Sequence, residues 1–313
     1  MYKQVILKKA NPIISIYPKD TTYFFFKYAS KKQLKHFPYY WLNAVKKADV
    51  HIAVETEFNT RELSSCDPKK IALRTKIMDR IEKHVLKKRN ICVTYPCPAY
   101  AIEAEMSFDE WKDFTFSSCL IDWDKFHKRY IKVKKYFEKG KKIHLIGENV
   151  DLKFSINNKY VLFEDGKDNM PGGEIYMAPI KTSLNGYIKF EYPSLYDGRE
   201  IKGIYLEFKN GKIVKYSASK NQKMLKGVIE ADKNSSYIGE FGIGLNPNIK
   251  NFSNNLLFDE KISGTIHLAI GLAYLENGGG NDSVIHWDIV KDMKKAKIIL
   301  DGKVVQENGK WKI

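Results

Sequence analysis

The sequence predicts an α and β protein of two domains: an N-terminal α/β domain, 1–142, with a parallel-type sheet, and a C-terminal β-rich domain, 143–313, partly open and barrel-like. Three observations lead there. Up to about residue 140, short β-branched runs alternate with longer charged stretches of helical spacing, the pattern of strand–helix units and a parallel sheet. After Gly140 the chain turns to short strands separated by Gly, Asn and Asp turns. A length of 313 residues also favours two cores over one.

Taken in order, "QVILKK", "DVHIAVE" and "NICVTYP" read as strands rich in β-branched residues. "DPKKIALRTKIMDRIEKHVLKK", 67–88, reads as a helix, with Asp67 as cap, Pro68 in the first turn and basic residues at the end. The stretch from Ser107 to Gly140 reads as helical segments, with Ser107 and Glu110 as a capping box. "REIKGIYLEFKNGKIVKYSASK" is a hairpin turning at "KNGK", and "KIILDGKVVQENGKWKI" a terminal meander turning at "LDGK" and "ENGK". In "SVIHWDIV", a strand over Val284–Ile289 puts His286 and Asp288 on one face and Trp287 on the other. No internal repeat or low-complexity segment interrupts the chain.

Bulk composition narrows the classes. Hydrophobic residues make up 43% and aromatics 13%, which fits a folded globular protein. No apolar run approaches the roughly 20 residues of a membrane span, so no membrane partner is expected. "MYKQVILKKANP" has neither a long apolar core nor a small-residue cleavage site, and a cytoplasmic location is the expectation. Cys66, Cys92, Cys97 and Cys119 show no paired metal or redox spacing and read as free thiols. The net charge of +16 comes from lysines spread over the whole chain, with no arginine-rich or aromatic-interleaved motif. It reads as a solvated surface, and no nucleic acid is expected as a partner.

Against that surface a few residues stand out. Glu174 follows two glycines in "MPGGEIYMAP", and Glu240 sits between apolar and glycine positions in "YIGEFGIGLN". Burying such carboxylates without compensation is costly; each alone fits a capping or strand-pairing role as well as catalysis. His267, in "GTIHLAIGLAY", alone fits a satisfied core histidine. The pair His286 and Asp288 alone fits a structural hydrogen bond. Together the five make a nitrogen and oxygen donor set that suits two divalent ions such as zinc, cobalt, manganese or magnesium. Such a pair of ions polarises a carbonyl and produces a hydroxide nucleophile near neutral pH. No thiolate takes part, which argues against a closed structural zinc site.

Longer stretches carry a resemblance. From about Gly147 onward, "DGKDNMPGGEIYMAP", "SLNGYIKF", "GIYLEFKNGKIVKYSASK", "IGEFGIGLNPNI", "LLFDEKISGTIHLAIGLAY" and "NDSVIHWDIV" resemble the M29 family of metallo-aminopeptidases, the aminopeptidase T and aminopeptidase S group. The resemblance implies that Glu174, Glu240, His267, His286 and Asp288 ligate a dinuclear metal site in the C-terminal domain, and that Tyr274 is an active-site group. If "TIHLAIGLAY" is a helix, His267 and Tyr274 share a face two turns apart; if a strand, their odd separation sets them on opposite faces. The first 140 residues match the family only weakly, and the His267–His286 interval is shorter than the family's.

The expected activity is a metal-dependent aminopeptidase acting on short peptides, with Glu174 or Glu240 as general base and Tyr274 donating to the developing oxyanion. A homodimer is left open. Two alternatives remain at this stage: a metal-dependent amidohydrolase on a small molecule, which shares the metal site, and a non-catalytic basic nucleic-acid-binding protein, in which the five residues need not converge.

Overall fold

Hydrophobic spacing decides the helices in the computed structural model, which describes residues 1–313. In Trp123–Phe137 the buried residues Phe126, Tyr130, Val133 and Phe137 recur every three or four positions, and the Asp122 carboxylate accepts from the Lys125 amide at the helix start. Pro68–Val85 starts under the Asp67 cap and buries Ile71, Ile81 and Val85. Ser107 and Glu110 form the reciprocal capping box at the head of Phe108–Cys119.

The expected parallel pairing is present. Val50–Glu55 lies beside Arg89–Thr94 in parallel, and Asn169–Met170 adds a third parallel strand. That third strand comes from beyond residue 143, so this sheet draws on both sides of the expected boundary. The strand expected at "QVILKK" is instead a helix, Tyr2–Leu7, with no buried residue. No neighbouring strand lies there to pair its backbone, and a helix satisfies those groups locally.

Besides a small two-stranded sheet, Ser194–Tyr196 with Arg199–Ile201, the later residues build two large antiparallel sheets. One has eight strands, running from Lys212–Ser217 at one edge to Lys310–Trp311 at the other. The second has five, in the order His286–Asp292, Thr265–Gly271, Ile238–Gly244, Glu174–Met177, Leu162–Glu164. Both sheets are open, each with two free edges, and no closed barrel forms. Their inner faces share one core with helix Trp123–Phe137; Phe154 of the larger sheet meets Phe241 of the smaller edge-on at 5.1 Å.

Three hairpins turn where the sequence places them. Asn210–Gly211, Asp301–Gly302 and Asn308–Gly309 all take positive φ at both positions, between 47° and 83°. That conformation matches the twist of the flanking strands in a two-residue turn and favours Asn or Asp followed by Gly. The four cysteines are free thiols. No helix is long and apolar enough to cross a membrane.

Candidate metal centre

The five-stranded sheet brings the singled-out residues onto one face. Register pairs Asp288 with Ala269, Glu240 also with Ala269, His267 with Gly242, His286 with Gly271 and Glu174 with Gly244. Cross-strand partners share a face, so all five point the same way. Residues one position off, Ile266, Leu268, Phe241, Ile243, Ile175 and Ile289, fill the core on the opposite face. Trp287 points to that other side too, donating from Nε1 to Ser194 Oγ at 2.8 Å.

Four of their cross-strand neighbours are small, Gly242, Gly244, Ala269 and Gly271, while Val290 lies across from His267 and Glu164 across from Glu174. The reason is visible at Gly242, where an added Cβ would stand 2.0 Å from Cε1 and Nε2 of His267. The glycines before Glu174 serve positioning. Gly173, at φ 119°, packs so closely on Asn246 that a Cβ would come within 2.7 Å of the asparagine's own Cβ. Asn246 Nδ2 donates to the Gly172 carbonyl at 3.0 Å, and Leu245 N donates to the Gly173 carbonyl at 2.8 Å. The chain therefore enters the Glu174 strand along a fixed path.

His267 Nε2 is the focus. It lies 3.3 Å from Glu174 Oε2, 3.4 Å from Glu240 Oε1 and 3.9 Å from Asp288 Oδ1, with the ring fully buried. Ligand atoms of Glu240, His267 and Asp288 all fall within 4.8 Å of one another. Next to them His286 Nε2 stands 3.2 Å from Asp288 Oδ2. The other nitrogen of His286, Nδ1, donates to the Leu272 carbonyl at 2.9 Å, which leaves Nε2 as the free ligating atom. Strand Thr265–Gly271 settles the Tyr274 question: the segment is not a helix, and Tyr274 lies past the strand's end, where face parity no longer applies. Its ring packs on His286 with centroids 4.5 Å apart.

The electrostatics are those of a cation site. Burial pulls the His267 and His286 imidazoliums down, but the carboxylates around them overcome it, led by Glu240 at His267 and Asp288 at His286. The two end near 10 and 9. Burial pushes Glu174 up to about 8 against the pull of Lys261. Asp288 is lowered, its burial outweighed by the His286 charge and hydrogen bond. Glu174 Oε2 and Asp288 Oδ1 are buried without a hydrogen-bond partner. Buried carboxylate oxygens without a partner are expensive. Their convergence on an imidazole nitrogen fits a divalent ion, and the donor set contains only nitrogen and oxygen.

Two residues of the centre escape a reading of the sequence. Lys261 is fully buried, with Nζ 3.3 Å from Glu174 Oε1 and paired to Glu260 as well. In "FDEKIS" it looks like one more surface lysine. Asn277, in "LENGGGND", looks like a turn residue, yet its Nδ2 donates to Glu240 Oε2 at 2.8 Å. Nothing local marks either one, since both take their roles from partners on other strands.

With the geometry in place, relatives can be compared. Aminopeptidase AmpS of Bacillus subtilis (strain 168) is 33% identical over 201 residues, 54% of this chain and 48% of the relative. Aminopeptidase 2 of Geobacillus stearothermophilus is 26% identical over 302 residues, 80% of this chain and 73% of the relative. The chain thus spans about half the length of the first relative and about three quarters of the second. Among solved structures, wild-type AmpT from Thermus thermophilus superposes with a TM-score of 0.83 at 20% identity, covering 100% of this chain and 90% of that one. A 2,5-dihydroxypyridine dioxygenase from Pseudomonas putida KT2440 shares the fold more loosely, at a TM-score of 0.54 and 14% identity over 91% of this chain and 98% of that one. A shared fold alone does not decide the chemistry. The family signature described as thermophilic metalloprotease (M29) matches residues 1–311, and the chain belongs to that family.

Proposed function

We propose that this protein is a metal-dependent aminopeptidase that releases N-terminal amino acids from short peptides, with Glu174, Glu240, His267, His286 and Asp288 as ligands of a dinuclear divalent-metal site. The observation that carries the reading is the convergence of Glu174 Oε2, Glu240 Oε1 and Asp288 Oδ1 on His267 Nε2, within a metalloprotease family. The aminopeptidase names of the relatives support it. A nucleic-acid-binding protein has no need of this convergence.

Zinc, cobalt, manganese and magnesium all suit the donor set. When bound, two such ions supply Lewis acidity toward a peptide carbonyl and make water acidic enough to act near neutral pH. The chain's own residues do the rest. Glu174 or Glu240 takes the proton of the attacking water and returns it to the leaving amine. Tyr274 is raised by burial and by the charges of Glu240 and Asp288, so it stays protonated and donates to the carbonyl oxygen as charge develops there. Leu272 holds the His286 ring in one tautomer. The metal site and its neighbouring carboxylates would recognise a free amino group at the scissile end, which makes the reaction exopeptidic.

The proposal keeps 143–313 as the unit that bears the metal, with helix Trp123–Phe137 packed into its core, and 1–142 as the α/β unit closing over the cleft. It places the protein in the cytoplasm and admits a homodimer. The test is a paired digest of one short peptide, free and N-terminally acetylated, by zinc-loaded protein. Release of single N-terminal residues from the free peptide only is the expected result. Equal rates on both would remove the exopeptidase reading in favour of an amidohydrolase or endopeptidase.

A further inference from the structure

Asn277 is fully buried in the loop that joins strands Thr265–Gly271 and His286–Asp292, the loop that also carries Tyr274. Its side chain engages the outer oxygen of Glu240, Nδ2 to Oε2 at 2.8 Å. The inner oxygen, Oε1, is the one that faces His267 Nε2 at 3.4 Å. A carboxylate turns about a broad terminal torsion unless something holds it. The backbone carbonyl of Asn277 accepts from Ala178 N at 3.1 Å, just past the end of the strand that begins with Glu174. One residue thus touches the Glu240 side chain, the end of the Glu174 strand and the Tyr274 loop.

The other end of the amide sharpens the point. Asn277 Oδ1 is buried with no partner. A carboxylate accepts only, so the amide must turn its nitrogen to Glu240 and leave its oxygen unpaired. An unpaired buried acceptor costs on the order of 1–3 kcal/mol. A residue kept for stability alone would be apolar here or satisfied at both ends.

We infer that Asn277 is a positioning residue of the metal centre: it holds Glu240 with Oε1 turned toward His267 Nε2 and fastens the Tyr274 loop to the strand of Glu174. This rests on the metal-centre reading above. Partners of this outer kind typically change metal affinity about 10–100-fold when removed.

The experiment uses the full chain stripped with a chelator and titrated with zinc by calorimetry, alongside Asn277→Leu and Asn277→Ala. Thermal unfolding of the zinc-free proteins runs in parallel. The expected result is a zinc dissociation constant raised roughly 10–100-fold, an unfolding temperature close to the parent's, and peptide hydrolysis reduced in kcat with KM little changed. Leucine nearly matches asparagine in shape and cannot donate; if one variant fails to fold, the other decides on the same criterion. Zinc affinity within about twofold of the parent in a folded variant overturns the role of Asn277 while leaving the metal site standing. A parent protein that binds no zinc at neutral pH overturns the metal reading and this inference with it.

Discussion

At His267 a single ring nitrogen meets three carboxylate oxygens, and every consequence at the residue scale follows from that crowding. In the metal-free protein the imidazolium forms of His267 and His286 are favoured, with values raised from 6.5 to near 10 and 9. The sign is that of raised groups: their contribution to stability is complete below 6.5 and is lost as pH rises through 9 to 10. A divalent ion needs both rings neutral. Zinc uptake at pH 7 is therefore expected to release about two protons per chain from the imidazoles and close to a third proton from Glu174, fewer as pH rises toward 10. Calorimetry in buffers of different ionisation enthalpy counts them; uptake with no proton release would contradict the arrangement. Gly242→Ala drives a methyl group into the His267 ring. It should destabilise the fold by about 1–3 kcal/mol and weaken zinc at least tenfold, roughly the effect of losing a ligand's orientation. A zinc titration and a melting curve check both. Lys261→Met leaves Glu174 and Glu260 without their buried cation, and the metal-free protein should lose about 3–5 kcal/mol in denaturant unfolding.

At the scale of elements, the site depends on how strand His286–Asp292 is entered. The Asp232 carboxylate accepts from Ser283 Oγ and Val284 N at 2.8 Å, and from Asn234 N at 2.7 Å and Ser235 N at 2.9 Å. It thereby ties two loops together just ahead of His286. Burial would raise Asp232, but these hydrogen bonds win and hold it below 3.8. Its contribution is present above 3.8 and fades as pH falls through the lowered value. Asp232→Ala strips four donors of their acceptor. It should cost about 1–3 kcal/mol and loosen His286, so both stability at neutral pH and zinc affinity are expected to fall. Unchanged values in melting and zinc titration would mean that the loop does not govern the strand. The contrast is Lys295, whose pair with Glu148 at 2.9 Å is exposed at both ends; Lys295→Ala should leave the melting curve essentially unchanged.

Across the whole molecule, legibility tracks how local each decision is. The hairpin turns can be read because Asn-Gly and Asp-Gly solve a two-residue problem by themselves. The ligand face can be read in part because Glu240, Gly242 and Gly244 alternate with Phe241 and Ile243, and His286 and Asp288 flank Trp287. The joint meaning of the five comes from the longer resemblance, since each alone is ambiguous. Three things lie beyond a linear reading. The Tyr2–Leu7 helix has strand-like residues and no strand to pair with. The third strand of the parallel sheet comes from Asn169–Met170, far along the chain from its partner. Lys261 and Asn277 carry ordinary loop signatures, and only the side-chain contacts of the folded chain show that they hold the glutamates.

The central claim is that these five residues hold divalent ions, and metal content tests it most directly. The protein is purified with zinc supplementation, freed of loose metal by dialysis at neutral pH and analysed for elements, beside His286→Ala and Asp288→Ala. Up to two ions per chain are expected in the parent, fewer in both variants, with peptide hydrolysis lost to a chelator and restored by zinc or cobalt. A parent protein with no bound metal, or variants that retain the parent's full metal content and turnover, would contradict the account.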